Sequence, residues 1–447
     1  MSDLAEWEAQ LNSFDPAERQ RALERLAEVP LSAPATENVN LHCHSFFSFN
    51  ADGWSPSRIA WEARKAGLYA AGLCDFDVLD GVDEFLDAGE RLGLRATANL
   101  ETRAFLPEYA EVEISSPGEP GVTYIMGAGF VRQPDPGTPQ ADGLALFRAG
   151  ARARNLALIQ RINPHLPEIA VDYERDVLPL TPKGVATERH IVRAYLNRAK
   201  AVCGTPHATA AYWSRQLGKS ASELLPLLDT PAMEEMVRAR LAKRGGIGYV
   251  QPSEKTFPPV DEFIAWVSSC QALPMITWLD GTSEGEKDPR ALLECLAAKG
   301  ALALNIIPDR NWNIPDPAQR AIKVANLRAV VALADEMGLP INIGTEMNRA
   351  GLPFVDDLSG PVLREFRHSF LRGAQIMVGH SVCLRYAGFP YAAHPGGTRE
   401  RNDFFASVGA LPPLTRPVAA RLQEMGPQEA LRTITNSAQQ GRWYLGT

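Results

Sequence analysis

The chain has 447 residues, 45% apolar and 22% charged, with a formal net charge of -8. This is the make-up of a folded protein with one large core and additions, and it excludes a disordered chain. The modest acidity and the lack of a long Lys/Arg block argue against a nucleic-acid partner, while leaving room for a local basic pocket. Residues 1–35 read as a helical arm, in which Asp15 can cap a helix beginning at Pro16, with Leu23 and Leu26 as its apolar stripe.

The stretch Val39 to His44 alternates as a strand does, which sets the imidazoles of His42 and His44 on one side. Two such nitrogens can share one cation, at about 2.0 to 2.1 Å for zinc. A loop with Asn50, Asp52 and Gly53 and a helix opened by Ser55-Pro56 complete the first strand–helix unit. A second strand, Leu68 to Leu73, runs into Cys74-Asp75-Phe76-Asp77, a third, Arg95 to Leu100, into Glu101-Thr102-Arg103, and a fourth spans Val122 to Phe130. Alternation sends Cys43 and Cys74 into the surrounding helical layer. Strands separated by helical patterns imply a parallel sheet closing into a barrel, with polar residues converging at the carboxyl-side strand ends.

From about 140 to 244 the pattern is helical, with segments Leu144 to Ile162, Thr187 to Val202, Pro206 to Leu217 and Pro231 to Lys243. This is longer than a crossover needs and reads as an inserted layer, whose His207 either caps a helix or reaches the site. Strands follow near Ile247 to Val250, Met275 to Leu279, Ala301 to Ile307 and Pro340 to Gly344, and their exits carry Gln251, Asp280, Asp309-Arg310 and Thr345-Glu346-Met347-Asn348. Helices over Val362 to Tyr386, Pro412 to Met425 and Pro427 to Gln439 end the chain. The expected division is a barrel over 36–394 and a helical extension over 395–447 packed on it. Six cysteines without CxxC spacing suit a reducing compartment. With no apolar signal core and no run long enough to span a bilayer, the expectation is a cytoplasmic protein without membrane attachment.

No P-loop, Rossmann glycine fingerprint or G-x-S-x-G elbow is present, which leaves the strand-end His and acid residues as the carriers of chemistry. Asp77 or Asp280 can move a proton. Arg103, Arg161 and Arg310 can each pair two oxygens of an anion, and Arg103 is placed beside the reacting group. Asn348 and His207 join Arg161 and Arg310 as substrate-binding candidates.

His42-Cys43-His44, the acidic strand end Asp75-Phe76-Asp77, Glu101 and Gly344-Thr345-Glu346-Met347-Asn348 together resemble the polymerase and histidinol phosphatase (PHP) family, most clearly up to Arg103. The resemblance implies a distorted α/β barrel, here of seven or eight strands, to which the helical patterns above add an inserted helical region and a helical carboxyl-terminal extension. It also implies two or three divalent metals at the carboxyl face and phosphoester hydrolysis. It assigns His42, His44 and Asp75 as ligands and Glu101 as the bridging carboxylate. Phe76 stands where the family has histidine, and Glu346 and Asn348 stand where it has an aspartate and a histidine. A set drawn from His42, His44, Asp75 or Asp77, Glu101, Asp280 and Glu346 is richer in oxygen, so the expectation is one to three ions of manganese, iron or zinc, with magnesium also admitted. The function expected is metal-dependent hydrolysis of a small anionic phosphoester. The alternatives are a non-catalytic binding protein on a degenerate barrel and a metal-dependent hydrolase of a C-N or other bond. Self-association into a homo-oligomer stays open.

Overall fold

A computed structural model describes residues 3–31, 34–253 and 255–444, so the first two residues of the arm, residues 32–33 of the linker, residue 254 and the end of the tail (445–447) lie outside the description. Seven strands form one sheet: β1 (Val39–Cys43), β2 (Ala70–Phe76), β3 (Arg95–Phe105), β4 (Val122–Ala128), β5 (Leu273–Trp278), β6 (Ala303–Ile306) and β7 (Ile341–Ile343). They lie in sequence order. Beyond β7 the chain returns to β1. Glu346 bridges Cys43, with Glu346 N donating to His42 O at 2.7 Å and His44 N donating to Glu346 O at 2.9 Å. The sheet is thereby drawn into a distorted α/β barrel.

Two details depart from the sequence expectation. Ile247 to Val250 forms turns and loop, leaving seven strands rather than eight. The segment contains Gly248 and directly follows Gly245-Gly246, and a run of four residues has too little apolar surface to hold a strand against them. The sheet is also not wholly parallel, because β4 runs antiparallel to both β3 and β5. The link from β3 to β4 holds only a short 3-10 turn, Pro107–Tyr109. Without a crossover helix the chain can only return in the opposite sense.

That reversal sets the position of the helical layer. Ala128, at the end of β4, pairs with Leu273 at the start of β5, so the chain leaves β4 at the amino-side face of the barrel. The helix Pro139–Ile162 then climbs the outside of the barrel. Its 24 residues span about 36 Å at 1.5 Å per residue, enough to project past the carboxyl-side face. There the helices Glu188–Cys203, Pro206–Leu217 and Pro231–Leu241 bury a core of their own, with Ile162, Tyr195, Trp213, Met233 and Leu241, separate from the core around the barrel.

The opposite face is closed by the helix Arg367–Ala387. A side chain at Gly373 would start only 1.9 Å from Ile341 O, so glycine is what allows this helix to lie directly on β7. Ser381 Oγ meets Thr97 Oγ1 at 3.0 Å, and His380 Nε2 meets Gly129 O at 3.2 Å. The helices Thr398–Gly409, Arg416–Glu424 and Pro427–Gln440 pack around it, the first of them not foreseen in the sequence. At the other terminus Asp15 Oδ1 accepts from Ala17 N at 2.9 Å, and Leu23 and Leu26 are buried. Among the described residues no helix is long and apolar enough to cross a membrane.

Candidate metal centre and its cleft

β1 delivers His42 and, one residue past its end, His44, while β3 delivers Glu101, and all three are buried. His42 Nε2 and His44 Nε2 are 3.4 Å apart, and Glu101 Oε2 stands 3.4 Å from the first and 3.3 Å from the second. Ligands held at about 2.0 to 2.1 Å around a tetrahedral ion are separated by about 3.3 to 3.4 Å. The three atoms therefore have the spacing of one face of such a tetrahedron. Glu101 Oε2 is buried without a hydrogen-bond partner, a costly state that a bound cation would relieve.

The second neighbours of both rings aim their Nε2 lone pairs at this point. Asn342 Nδ2 donates to Asn305 Oδ1 at 2.9 Å, and the same oxygen lies 3.3 Å from His42 Nδ1, so His42 carries its proton on Nδ1. On the other side Ser48 Oγ donates to Asp75 Oδ1 at 2.7 Å and lies 3.2 Å from His44 Nδ1. A hydroxyl has one hydrogen to give, so Ser48 accepts from His44. Burial by itself would raise the Glu101 carboxyl, but the two facing imidazoles overcome it and hold it at about 2. Burial likewise works against a charged His42, and the neighbouring Cys74 and Glu101 push its pKa up instead.

Strand register explains which sequence candidates reach this centre. Residues paired across a sheet point the same way, and Cys74 pairs with Asn99 and Phe76 with Glu101. Cys74 therefore faces inward against His42, contrary to the outward placement expected for it, and burial lifts its thiol to about 11. Asp75 pairs with Leu100 on the opposite parity. Instead of joining Glu101, it accepts from Ser45 N, Ser45 Oγ and Ser48 Oγ, each at 2.7 Å, and fixes the loop that holds His44. Phe76 stacks on the His44 ring at 4.7 Å between centroids and 9° between planes.

Above the centre a cleft of ≈ 570 Å³ separates the barrel from the helical layer. Asp77, Arg103, Arg161, Arg310, Glu346 and Asn348 all line it. Asp77, at a φ of 58°, accepts from Thr102 Oγ1 at 2.6 Å and lies 3.7 Å from Arg154, and burial raises its carboxyl against the pull of that arginine. Arg103 pairs with Glu119 at 2.7 Å and rests on the Phe257 ring, and Arg310 pairs with Glu346 at 3.0 Å. Arg161 Nε donates to Gly248 O at 2.7 Å.

Two candidates are elsewhere. Asp280 points away from the cleft and pairs with Lys323 at 2.7 Å, because the loop after β5 is wrapped around Glu286, which accepts from Leu279 N, Asp280 N and Gly281 N. His207 is exposed in the first turn of Pro206–Leu217, on the outer side of the helical layer. Sequence reasoning missed Ser48, Asn305, Arg154, Glu188, Arg238 and Lys243. The last four come from the helical layer and line the cleft only through its packing. In all, eight Arg/Lys and four Asp/Glu line the cleft, an excess of four positive charges within a chain of net charge -8.

No protein-family profile matches the chain. A 5'-3' exoribonuclease of Haemophilus influenzae is 26% identical over 216 residues, which is 48% of this chain and 68% of that protein. Among solved structures, a protein described as a metal-dependent phosphoesterase from Bifidobacterium adolescentis is 20% identical, covers 75% of this chain and 98% of its own, and has a TM-score of 0.46. An amidohydrolase from Chromobacterium violaceum, solved with sulfate and no metal, is 16% identical with 74% and 96% coverage and a TM-score of 0.46.

Proposed function

We propose that this chain is a metal-dependent hydrolase of an anionic phosphoester, with one divalent ion held by His42, His44 and Glu101. The observation that carries the reading is the triangle of ligand atoms 3.3 to 3.4 Å apart, buried directly behind Phe76 and Glu346 in the wall of a cationic cleft. The similarity to a protein named as an exoribonuclease supports phosphoester chemistry. One ion per chain is the proposed stoichiometry, since His42, His44 and Glu101 form the one such ligand group among the described residues and Phe76 covers the outer face of His44.

When bound, a divalent ion lowers the pKa of its water and polarises the phosphoryl oxygen. The chain supplies the rest. Arg310, with Arg103 and Arg154 behind it, attracts and orients the phosphoryl group from the open side of the cleft. Asp77, raised by burial and reached by Arg154, is the proton carrier proposed for the leaving oxygen. Asn305 on one side and Ser48 with Asp75 on the other keep both imidazoles in the ligating tautomer.

The test is metal analysis of protein purified without chelator, followed by assay with manganese, iron or zinc against small phosphomonoesters, phosphodiesters and a 5'-phosphorylated oligoribonucleotide. One ion per chain and metal-dependent phosphate release are expected. A chain that takes up no metal and stays inert after reconstitution would refute the reading. The stacking of Phe76 on His44 favours one rival, an anion-binding module without turnover. Stoichiometric metal and tight phosphoester binding with no hydrolysis across the panel would select it.

A further inference from the structure

Glu346 lies beside the ligand triangle but outside it, and its carboxylate is engaged by a cation. Its backbone is fixed to β1 on both sides, by the bonds from Glu346 N to His42 O and from His44 N to Glu346 O, and so it stands level with Cys43. Extended backbone at that place would send the Glu346 side chain the same way as Cys43, into the core around the barrel. Instead Glu346 and Met347 take φ values of 63° and 56°, a left-handed conformation that non-glycine residues adopt only under constraint. The result is that Met347 is buried in the core while the Glu346 carboxylate turns into the cleft.

There Arg310 Nη2 donates to Glu346 Oε2 at 3.0 Å and to Oε1 at 3.3 Å. The Arg310 side chain is 43% exposed, so an incoming anion meets the guanidinium directly. A guanidinium fork accommodates phosphate or sulfate oxygens as well as those of a carboxylate. Paired with Arg310 on the cleft side of the barrel, the Glu346 carboxylate is an oxygen donor beside the centre.

Resting on the metal-centre reading above, we propose that Arg310 and Glu346 form an exchange switch. A tetrahedral anion that takes Arg310 releases Glu346 to join His42, His44 and Glu101 around the ion. Anion and metal then bind cooperatively, and the coupling is reciprocal. With no anion present, Arg310 competes with the ion for Glu346, and the left-handed backbone keeps the carboxylate turned into the cleft.

Zinc or manganese affinity is measured by competition with a chromogenic chelator, with and without sulfate, a tetrahedral dianion that leaves both metals in solution. In the unaltered chain sulfate should raise metal affinity about tenfold, within the usual range of site-to-site coupling. Arg310→Gln should bind metal as tightly without sulfate as the unaltered chain does with it, and should no longer respond to sulfate. Arg310→Lys should keep a reduced response, and Glu346→Gln should stay at the weaker affinity with or without sulfate. A metal affinity in Arg310→Gln no higher than in the unaltered chain, or a full sulfate response in Glu346→Gln, would overturn the switch while leaving the metal centre standing. An unaltered chain that binds neither metal under either condition would overturn the metal-centre reading and the switch with it.

Discussion

The two histidines reach one point because the residues behind them leave little rotational freedom. Ser48 and Asn305 touch no candidate ligand atom facing the ion, yet each fixes the outer nitrogen of one ring. Partners of this kind typically contribute 10- to 100-fold to metal affinity. Ser48→Ala and Asn305→Ala are each expected to weaken zinc or manganese binding by about tenfold or more, beyond a metal-free destabilisation of about 1 to 3 kcal/mol from the buried partners left unpaired. Calorimetric titration beside a metal-free denaturation curve checks both halves of this statement. His44→Ala should abolish high-affinity binding outright, as read by metal content after dialysis.

At the scale of elements, one antiparallel strand governs the site. Because β4 returns the chain to the amino-side face, the next helix must run the height of the barrel, and the layer it carries arrives over the strand ends where His42 and Glu101 emerge. That layer depends on its own core, in which Trp213 is fully buried. Trp213→Ala should cost about 3 to 5 kcal/mol within the layer. Because the barrel core is separate, hydrogen exchange should show protection lost across 158–241 and retained in β1 to β3. Equal loss in both regions would mean that the two cores unfold as one.

For the molecule as a whole, two buried neutral histidines set an acid limit on stability. His380 Nδ1 accepts from Tyr391 N at 3.0 Å and Nε2 donates to Gly129 O, so a second proton would face a donor, and burial holds the group down at about 3. His190, buried and near Arg193, is also at about 3, and its Nδ1 accepts from Thr187 N at the head of its helix. The unfolded chain binds these protons below about pH 6.5 and the folded chain does not, so stability falls as pH drops from 6.5 towards 3. Each histidine accounts for about 2 kcal/mol by pH 5. Glu286, raised to about 7 by burial against its three backbone donors, works in the opposite sense between its ordinary value and 7. The measurement is therefore a comparison of urea midpoints between pH 5 and 7 for the parent and His380→Gln. On going from pH 7 to 5 the stability of the variant should change by about 2 kcal/mol in the favourable direction relative to the parent, and parallel curves would contradict the assignment.

The His42-Cys43-His44 strand, Glu101 on the third strand, which runs on to Phe105 rather than ending there, and the helical block after the fourth were legible in the sequence, because periods of two and 3.6 and the capping residues act over short distances. The same local signals gave Asp15 as a cap and the seven strands that form. They misjudged the facing of Cys74 and the company of Asp75, since parity along a strand is set by the partner it pairs with. They also suggested a strand at Ile247 to Val250 that has no edge to join. The excess of cations in the cleft, the turning of Glu346 towards Arg310 and the withdrawal of Asp280 onto Lys323 involve residues tens to hundreds of positions apart. Such pairings follow from the route of the backbone between elements, and that route is decided by packing of the folded whole.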